Sequence, residues 1–251
     1  MSHSADTHFV VFTTQRNGST WLISVLNGLD DVTAHGEVLL PRPRSKERRW
    51  DSDFAYPRYF ESKAEHGSLR PFSLYRYLDT LYSSRGAVGF KLMYSQVRAY
   101  PEVIPYLMRK RIPVVHLVRQ NHLDVLISSQ IKRSIGKAHI LSPSDRPEDV
   151  RVNIDTTTLL KDLEKLRFRH DLGRRLLRIC RLSHLEVAYE DLVSGQARFD
   201  DVLGFLSIRT GHGLSESNIL KTRLGGQRQV IRNYDDVRAV LQNSEFSGLL
   251  N

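Results

Sequence analysis

A single cysteine, Cys180, among 251 residues excludes an intrachain disulfide and gives no cysteine-based metal cluster. Its neighbours Leu176, Leu177 and Ile179 are apolar, so a buried, unreactive thiol is expected. No apolar run approaches the roughly 20 residues needed to span a bilayer, and no membrane span is expected. The start, Met1-Ser2-His3-Ser4-Ala5-Asp6, has neither the basic residues nor the apolar stretch of a secretory signal. A cytoplasmic protein that needs no metal is the resulting expectation. Repeats and low-complexity tracts are missing, as are a Cys/His finger and an aromatic-and-basic ribonucleoprotein motif. Those absences weigh on the meaning of the net charge, +9. Such a balance first suggests nucleic acid, but the basic residues are spread along the chain, and no nucleic-acid partner is expected.

What the chain does contain is alternation. Short segments rich in Val, Ile, Leu and Phe at 8–13, 31–34, 87–92, 113–118 and 184–189 predict strands. Helical periodicity predicts helices over 19–27, 73–83, 102–109, 122–133, 157–180, 199–206 and 235–243. Near-continuous apolar strands separated by helices imply an α/β fold with a parallel sheet covered on both faces. The longest helix, 157–180, carries Leu159, Leu160, Leu163, Leu166, Leu172, Leu176 and Leu177, a stripe expected to pack in the core. One domain over 1–251 is expected, with substrate-side insertions at 41–67 and 134–155. The first insertion holds the cations Arg42, Arg44, Lys46, Arg48 and Arg49 among several aromatic residues.

The chemistry concentrates where the first strand meets the first helix, at Thr14-Gln15-Arg16-Asn17-Gly18-Ser19-Thr20-Trp21. Strand, tight turn and helix N-terminus in that order make an anion cradle, because backbone N–H groups and the positive end of the helix dipole converge on the turn. Gly18 permits close approach of the backbone, Ser19 and Thr20 supply hydroxyls, and Arg16 supplies a fixed charge. The nucleoside-triphosphate loop G-x-x-x-x-G-K-[ST] is not matched, since neither its first Gly nor its Lys is present. A second cation stands at the end of a later strand, in Pro113-Val114-Val115-His116-Leu117-Val118-Arg119. NTPases usually place a metal-holding Asp there, whereas Arg would attract a phosphate. Asn121 is placed to cap the next helix with Asp124 at its third position, and Ser128 lies two turns on, along the same face as Asn121.

The loop resembles the 5′-phosphosulfate-binding loop of sulfotransferases that use 3′-phosphoadenosine 5′-phosphosulfate (PAPS), above all the bacterial carbohydrate and natural-product branch with Gln-Arg-x-Gly-Ser-Thr. Leu117-Val118-Arg119-x₈-Ser128 resembles the family's 3′-phosphate motif, with Asn121 and Leu123 also matching. Val187-Ala188-Tyr189-Glu190-Asp191-Leu192 and Gly225-Gly226-Gln227-Arg228 are weaker likenesses. The resemblance implies a P-loop-like, three-layer sulfotransferase fold. It also implies PAPS as co-substrate, adenosine 3′,5′-bisphosphate as product, and a glycan, lipid or small natural product as acceptor. Under it Gln15, Arg16, Asn17, Gly18, Ser19, Thr20 and Trp21 hold the 5′ end, and Arg119 and Ser128 hold the 3′-phosphate. Tyr189 is placed near the adenine and Arg228 over the 3′-phosphate.

Arg16 is the residue expected to meet charge building on the leaving oxygen. The strand His of cytosolic eukaryotic members has no counterpart in Gly89-Phe90-Lys91-Leu92-Met93-Tyr94. Bacterial members use a carboxylate soon after the first helix instead. His35-Gly36-Glu37 occupies that place, making Glu37 the expected general base with His35 as its positioning group or as the base itself. Lys91 is open to contact with the sulfuryl oxygens or to a structural ion pair. Two alternatives stand beside this reading: a small-molecule kinase and a non-catalytic polyanion binder.

Overall fold

The computed structural model describes residues 6–41, 56–67, 69–135, 150–209 and 225–250. The basic cluster from Arg42 to Arg49 and most of the 134–155 insertion lie outside the described residues. Contacts gather the chain into two compact units, Met1–Val118 with Gly173–Ser217 and Arg119–Leu172 with Asn218–Asn251.

The first unit is built on five parallel strands, β1 (Thr7–Thr13), β2 (Val32–His35), β3 (Ala87–Met93), β4 (Val114–Val118) and β5 (His184–Ala188), in the order β2-β3-β1-β4-β5. Each strand lies within a residue of its predicted bounds. β1 shows why. Phe9 and Val11 enter one apolar cluster while Val10 and Phe12 enter another, so the strand is apolar at four consecutive positions rather than alternating. On one face, α1 (Ser19–Leu26) and α9 (Gln196–Phe205) pack Leu22, Leu26, Phe199 and Val202 against Phe9 and Val115. On the other, α3 (Phe72–Leu81) and α5 (Val103–Lys110) pack Leu74, Leu78 and Leu107 against Val10 and Phe90. Full burial of each such side chain contributes about 1.5–3 kcal/mol. Cys180 is half-buried against this second cluster.

Three helices of this unit were not anticipated from periodicity: α2 (Tyr59–His66), α4 (Tyr94–Ala99) and α8 (Tyr189–Ser194). All are eight residues or shorter, too brief to establish a 3.6-residue pattern.

The second unit has α6 (His122–Ile135), α10 (Gln227–Val230) and α11 (Tyr234–Gln242), around a core that includes Leu123, Ile127, Ile131, Val237 and Leu241. Val152 and Ile231 form an isolated parallel bridge there. The long helix α7 (Leu159–Ile179) contributes Leu159 and Leu163 to this core, and Leu177 to the core of the first unit. The expected stripe is only partly right. Leu159, Leu163, Leu166 and Leu177 are buried, but Leu160 and Leu172 are 36% and 46% exposed. Positions 159, 163, 166, 170, 173 and 177 recur at helical spacing, and the stripe runs through buried His170 rather than through its leucine neighbours. Among the described residues no helix is long and apolar enough to cross a membrane.

Candidate functional site

Strand order fixes where a ligand site is expected. β2 and β3 lie to one side of β1, and β4 and β5 to the other. The connection after β1 runs through α1 on one face of the sheet, and that after β3 runs through α5 on the opposite face. Neighbouring strands whose helices depart to opposite faces leave a crevice at their carboxyl ends, where α/β proteins bind ligands. The register aligns Thr13 at the end of β1 with Met93 at the end of β3 and with Leu117 near the end of β4.

The turn after β1 enters that crevice. Thr13 Oγ1 donates to the Leu117 carbonyl at 2.7 Å, and Asn17 Nδ2 donates to the same carbonyl at 3.4 Å. Asn17 is fully buried, and its side-chain amide ties the turn to β4. Arg16 and Gly18 hold φ of 65° and 80°. Left-handed backbone costs a non-glycine residue on the order of 1–3 kcal/mol, and such strain gathers at ligand-holding turns. The first helical hydrogen bond of α1 runs from Leu22 N–H to the Gly18 carbonyl at 3.1 Å. The amides of Ser19, Thr20 and Trp21 therefore precede the helical ladder and lie at its positive end. Gln15 is exposed and Arg16 half-buried.

Tyr189, the first residue of α8, follows β5 at the same edge. A Cβ on Gly18 would stand 2.1 Å from Tyr189 Cδ2, and the Tyr189 ring meets Trp21 edge-on at 5.9 Å. Two aromatic rings thus flank the turn.

The second cluster grows from β2 and β3. His35 ends β2 opposite Phe90, and burial lowers its pKa. Glu37 Oε1 pairs with Lys91 Nζ at 3.0 Å, and its Oε2 accepts from Gln96 Nε2 at 3.1 Å. Of the two roles open to Lys91, the structure gives it the ion pair. Tyr56 lies over Gly36, where a Cβ would stand 2.1 Å from the ring, and edge-on to His35 at 6.4 Å. Burial, with the charge of Glu37 adding to it, pushes the Tyr56 phenol up to about 12. Gln96 and Tyr56 carry no motif, and nothing local in the sequence singles them out.

A third polar group sits on the opposite face of the sheet. Fully buried His116 on β4 meets Tyr94 Oη through Nε2 at 2.5 Å and Glu186 Oε2 through Nδ1 at 2.9 Å. Arg174 Nε donates to Glu186 Oε2 at 2.8 Å. Burial raises the Tyr94 phenol, and the Glu186 charge adds to the shift. The two ring nitrogens of His116 thus tie Tyr94 to Glu186.

In the second unit, Arg119 Nη2 donates to Asp124 Oδ2 at 3.2 Å. Asn121 Oδ1 accepts the Asp124 N–H at 3.0 Å, which is the expected cap. The Asp124 carboxylate is engaged by Arg119 and by buried Gln227 Nε2 at 3.0 Å. Asn121 and Gln227 each donate to the Leu249 carbonyl at 2.9 Å. Ser128 is half-buried on α6, and Arg228 is exposed on α10. Gln227, not its neighbour Arg228, is thus wired to the partner of Arg119. Among the described residues no three His, Cys, Asp or Glu side chains gather as they would around a metal ion. No protein-family model matches this chain, and no curated protein matches its sequence.

Proposed function

We propose that this protein is a PAPS-dependent sulfotransferase with a P-loop-like fold. The observation that carries the reading is the turn after β1: two left-handed residues, Arg16 and Gly18, precede α1 at the switch point of a parallel sheet. A turn of this kind presents consecutive amides to an oxyanion. Arg16 adds a guanidinium two residues before Gly18, whereas the triphosphate-binding loop carries its lysine directly after the glycine.

In this reading Arg16, the amides of Ser19 and Thr20, and the α1 N-terminus bind the 5′-phosphosulfate, with Trp21 at the 5′ end and Tyr189 beside the base. Arg119 and Ser128 take the 3′-phosphate, with Asp124 orienting the Arg119 guanidinium. Glu37 accepts the proton of an acceptor hydroxyl as its oxygen bonds to sulfur. The bond from sulfur to the 5′-phosphate oxygen breaks, and that oxygen keeps the electron pair. Arg16 and the turn amides stabilise the charge that grows there, which favours the transition state over the ground state. Lys91, paired with Glu37 Oε1 at 3.0 Å, holds the carboxylate in place. The acceptor class follows the resemblance: a glycan, lipid or small natural product.

Thermal shift with adenosine 3′,5′-bisphosphate, AMP and Mg·ATP tests the reading. The bisphosphate should stabilise the protein most, and Arg119→Ala should abolish its advantage over AMP. Stabilisation by Mg·ATP alone would overturn it.

A further inference from the structure

Gln96 has an identity that its own helix does not require. It is the third residue of α4 and only 2% exposed. Its Oε1 accepts the Met93 N–H at 3.0 Å, the half of a capping box in which the third side chain reaches back to the cap. That bond decides which way the amide faces, so Nε2 is turned to Glu37 Oε2 at 3.1 Å. A glutamate would cap equally well, and its charge would suit the helix N-terminus better. It would also set a second carboxylate against the first. The amide is therefore explained by Glu37 and not by α4.

We propose that Gln96 is a positioning residue for Glu37. Lys91 on β3 takes one carboxylate oxygen and Gln96 on α4 takes the other. Both donors come from the segment that ends at the crevice, and together they fix the plane of the carboxylate. An ionised carboxylate has about four acceptor positions; two are filled from the protein, and the rest keep a set direction for an incoming hydroxyl. The purpose of this arrangement rests on the sulfotransferase reading, whereas the contact does not. Among the described residues, Lys91, Tyr56 and His35 are the titratable groups near Glu37, on β3, on the segment before α2 and at the end of β2.

Gln96→Glu retains the cap and removes the donor, so it separates the two roles. With labelled PAPS and water as acceptor, release of the bisphosphate should fall roughly ten- to a hundredfold in Gln96→Glu, the range typical of groups that orient a functional side chain. The unfolding midpoint should fall somewhat, because the new carboxylate is buried beside Glu37, so turnover is compared well below the midpoint of either form. The acid limb of the pH–rate profile should move to higher pH, because a like charge opposes an ionised neighbour. Full turnover with an unmoved profile would overturn the proposal and leave the sulfotransferase reading standing. If the wild-type chain neither binds the bisphosphate nor turns over PAPS, that reading falls by itself, and NMR of the ¹⁵N-labelled Gln96 side-chain amide decides the positioning role. An amide signal that follows acidification in wild type and not in Glu37→Gln upholds the role. A signal indifferent to Glu37 overturns it.

Discussion

Tyr189 lies against the one residue of the β1–α1 turn that has no side chain: a Cβ on Gly18 would stand 2.1 Å from its Cδ2. Two independent reasons therefore require glycine, the ring and the φ of 80°. Gly18→Ala should lose about 1–3 kcal/mol of stability and weaken binding of the bisphosphate. Gly18→Ala with Tyr189→Ala should recover the steric share and keep only the backbone share, about 1–2 kcal/mol. Denaturant unfolding of the four forms in a double-mutant cycle measures that coupling. Strict additivity would mean that the ring moves aside without cost.

Arg16 is held in left-handed backbone while carrying a charge, so its two properties can be separated. Arg16→Ala removes the guanidinium and keeps the strain; Arg16→Gly removes both. Arg16→Gly should be the more stable of the two by about 1 kcal/mol, the cost of a left-handed Cβ. Both variants should bind the bisphosphate about 10–100-fold more weakly, the worth of one charged hydrogen bond. Titration calorimetry and urea unfolding give the two readouts. Equal stabilities would show that the turn relaxes when Arg16 is replaced.

Local signals in the sequence were enough for the sheet and much less so for the site. The central strands were legible because burial on both faces leaves runs of apolar residues, as at Phe9–Phe12 of β1 and Val114–Val115 of β4. The turn was legible because Arg16, Gly18, Ser19 and Thr20 lie within five residues. Contacts between distant residues were not. Gln96 is 59 positions from Glu37, and Gln227 is 103 positions from Asp124. No local periodicity records such pairings. His116 reads as one more strand residue until β5 and α7 bring Glu186 and Arg174 to it.

Lys91 is buried and paired with Glu37, which separates a catalytic role from a structural one. Glu37→Gln should lower turnover by about 10²–10⁴, the usual contribution of a general base, with bisphosphate affinity retained. It should also destabilise the fold by roughly 1–3 kcal/mol, at the low end for a severed buried pair because Glu37 is part exposed. Adding Lys91→Met should restore most of that stability and none of the turnover. Paired calorimetric scans and PAPS assays of the single and double variants check this. Recovery of turnover in the double variant would remove Glu37 from the chemistry.

Glu186 gives the fold an acid-sensitive joint on the face away from α1. Burial works to raise its carboxyl, but the hydrogen bonds and charges of His116 and Arg174 outweigh it and hold the group at about 2, below its ordinary 4.5. A carboxyl depressed in the folded state contributes stability above its unfolded value, and that contribution is lost as the pH falls through the folded value. The window runs from about pH 4.5 down to about pH 2. Solvent screening reduces the effect, since the Glu186 side chain is about a third exposed. The urea midpoint of the wild-type chain should fall across that window, and Glu186→Gln should flatten the slope while lowering stability at pH 7. Tyr94→Phe removes the hydroxyl that meets His116 but leaves the Glu186 contacts in place, so its slope should match the wild type. A Glu186→Gln profile parallel to wild type would place the acid sensitivity elsewhere in the chain.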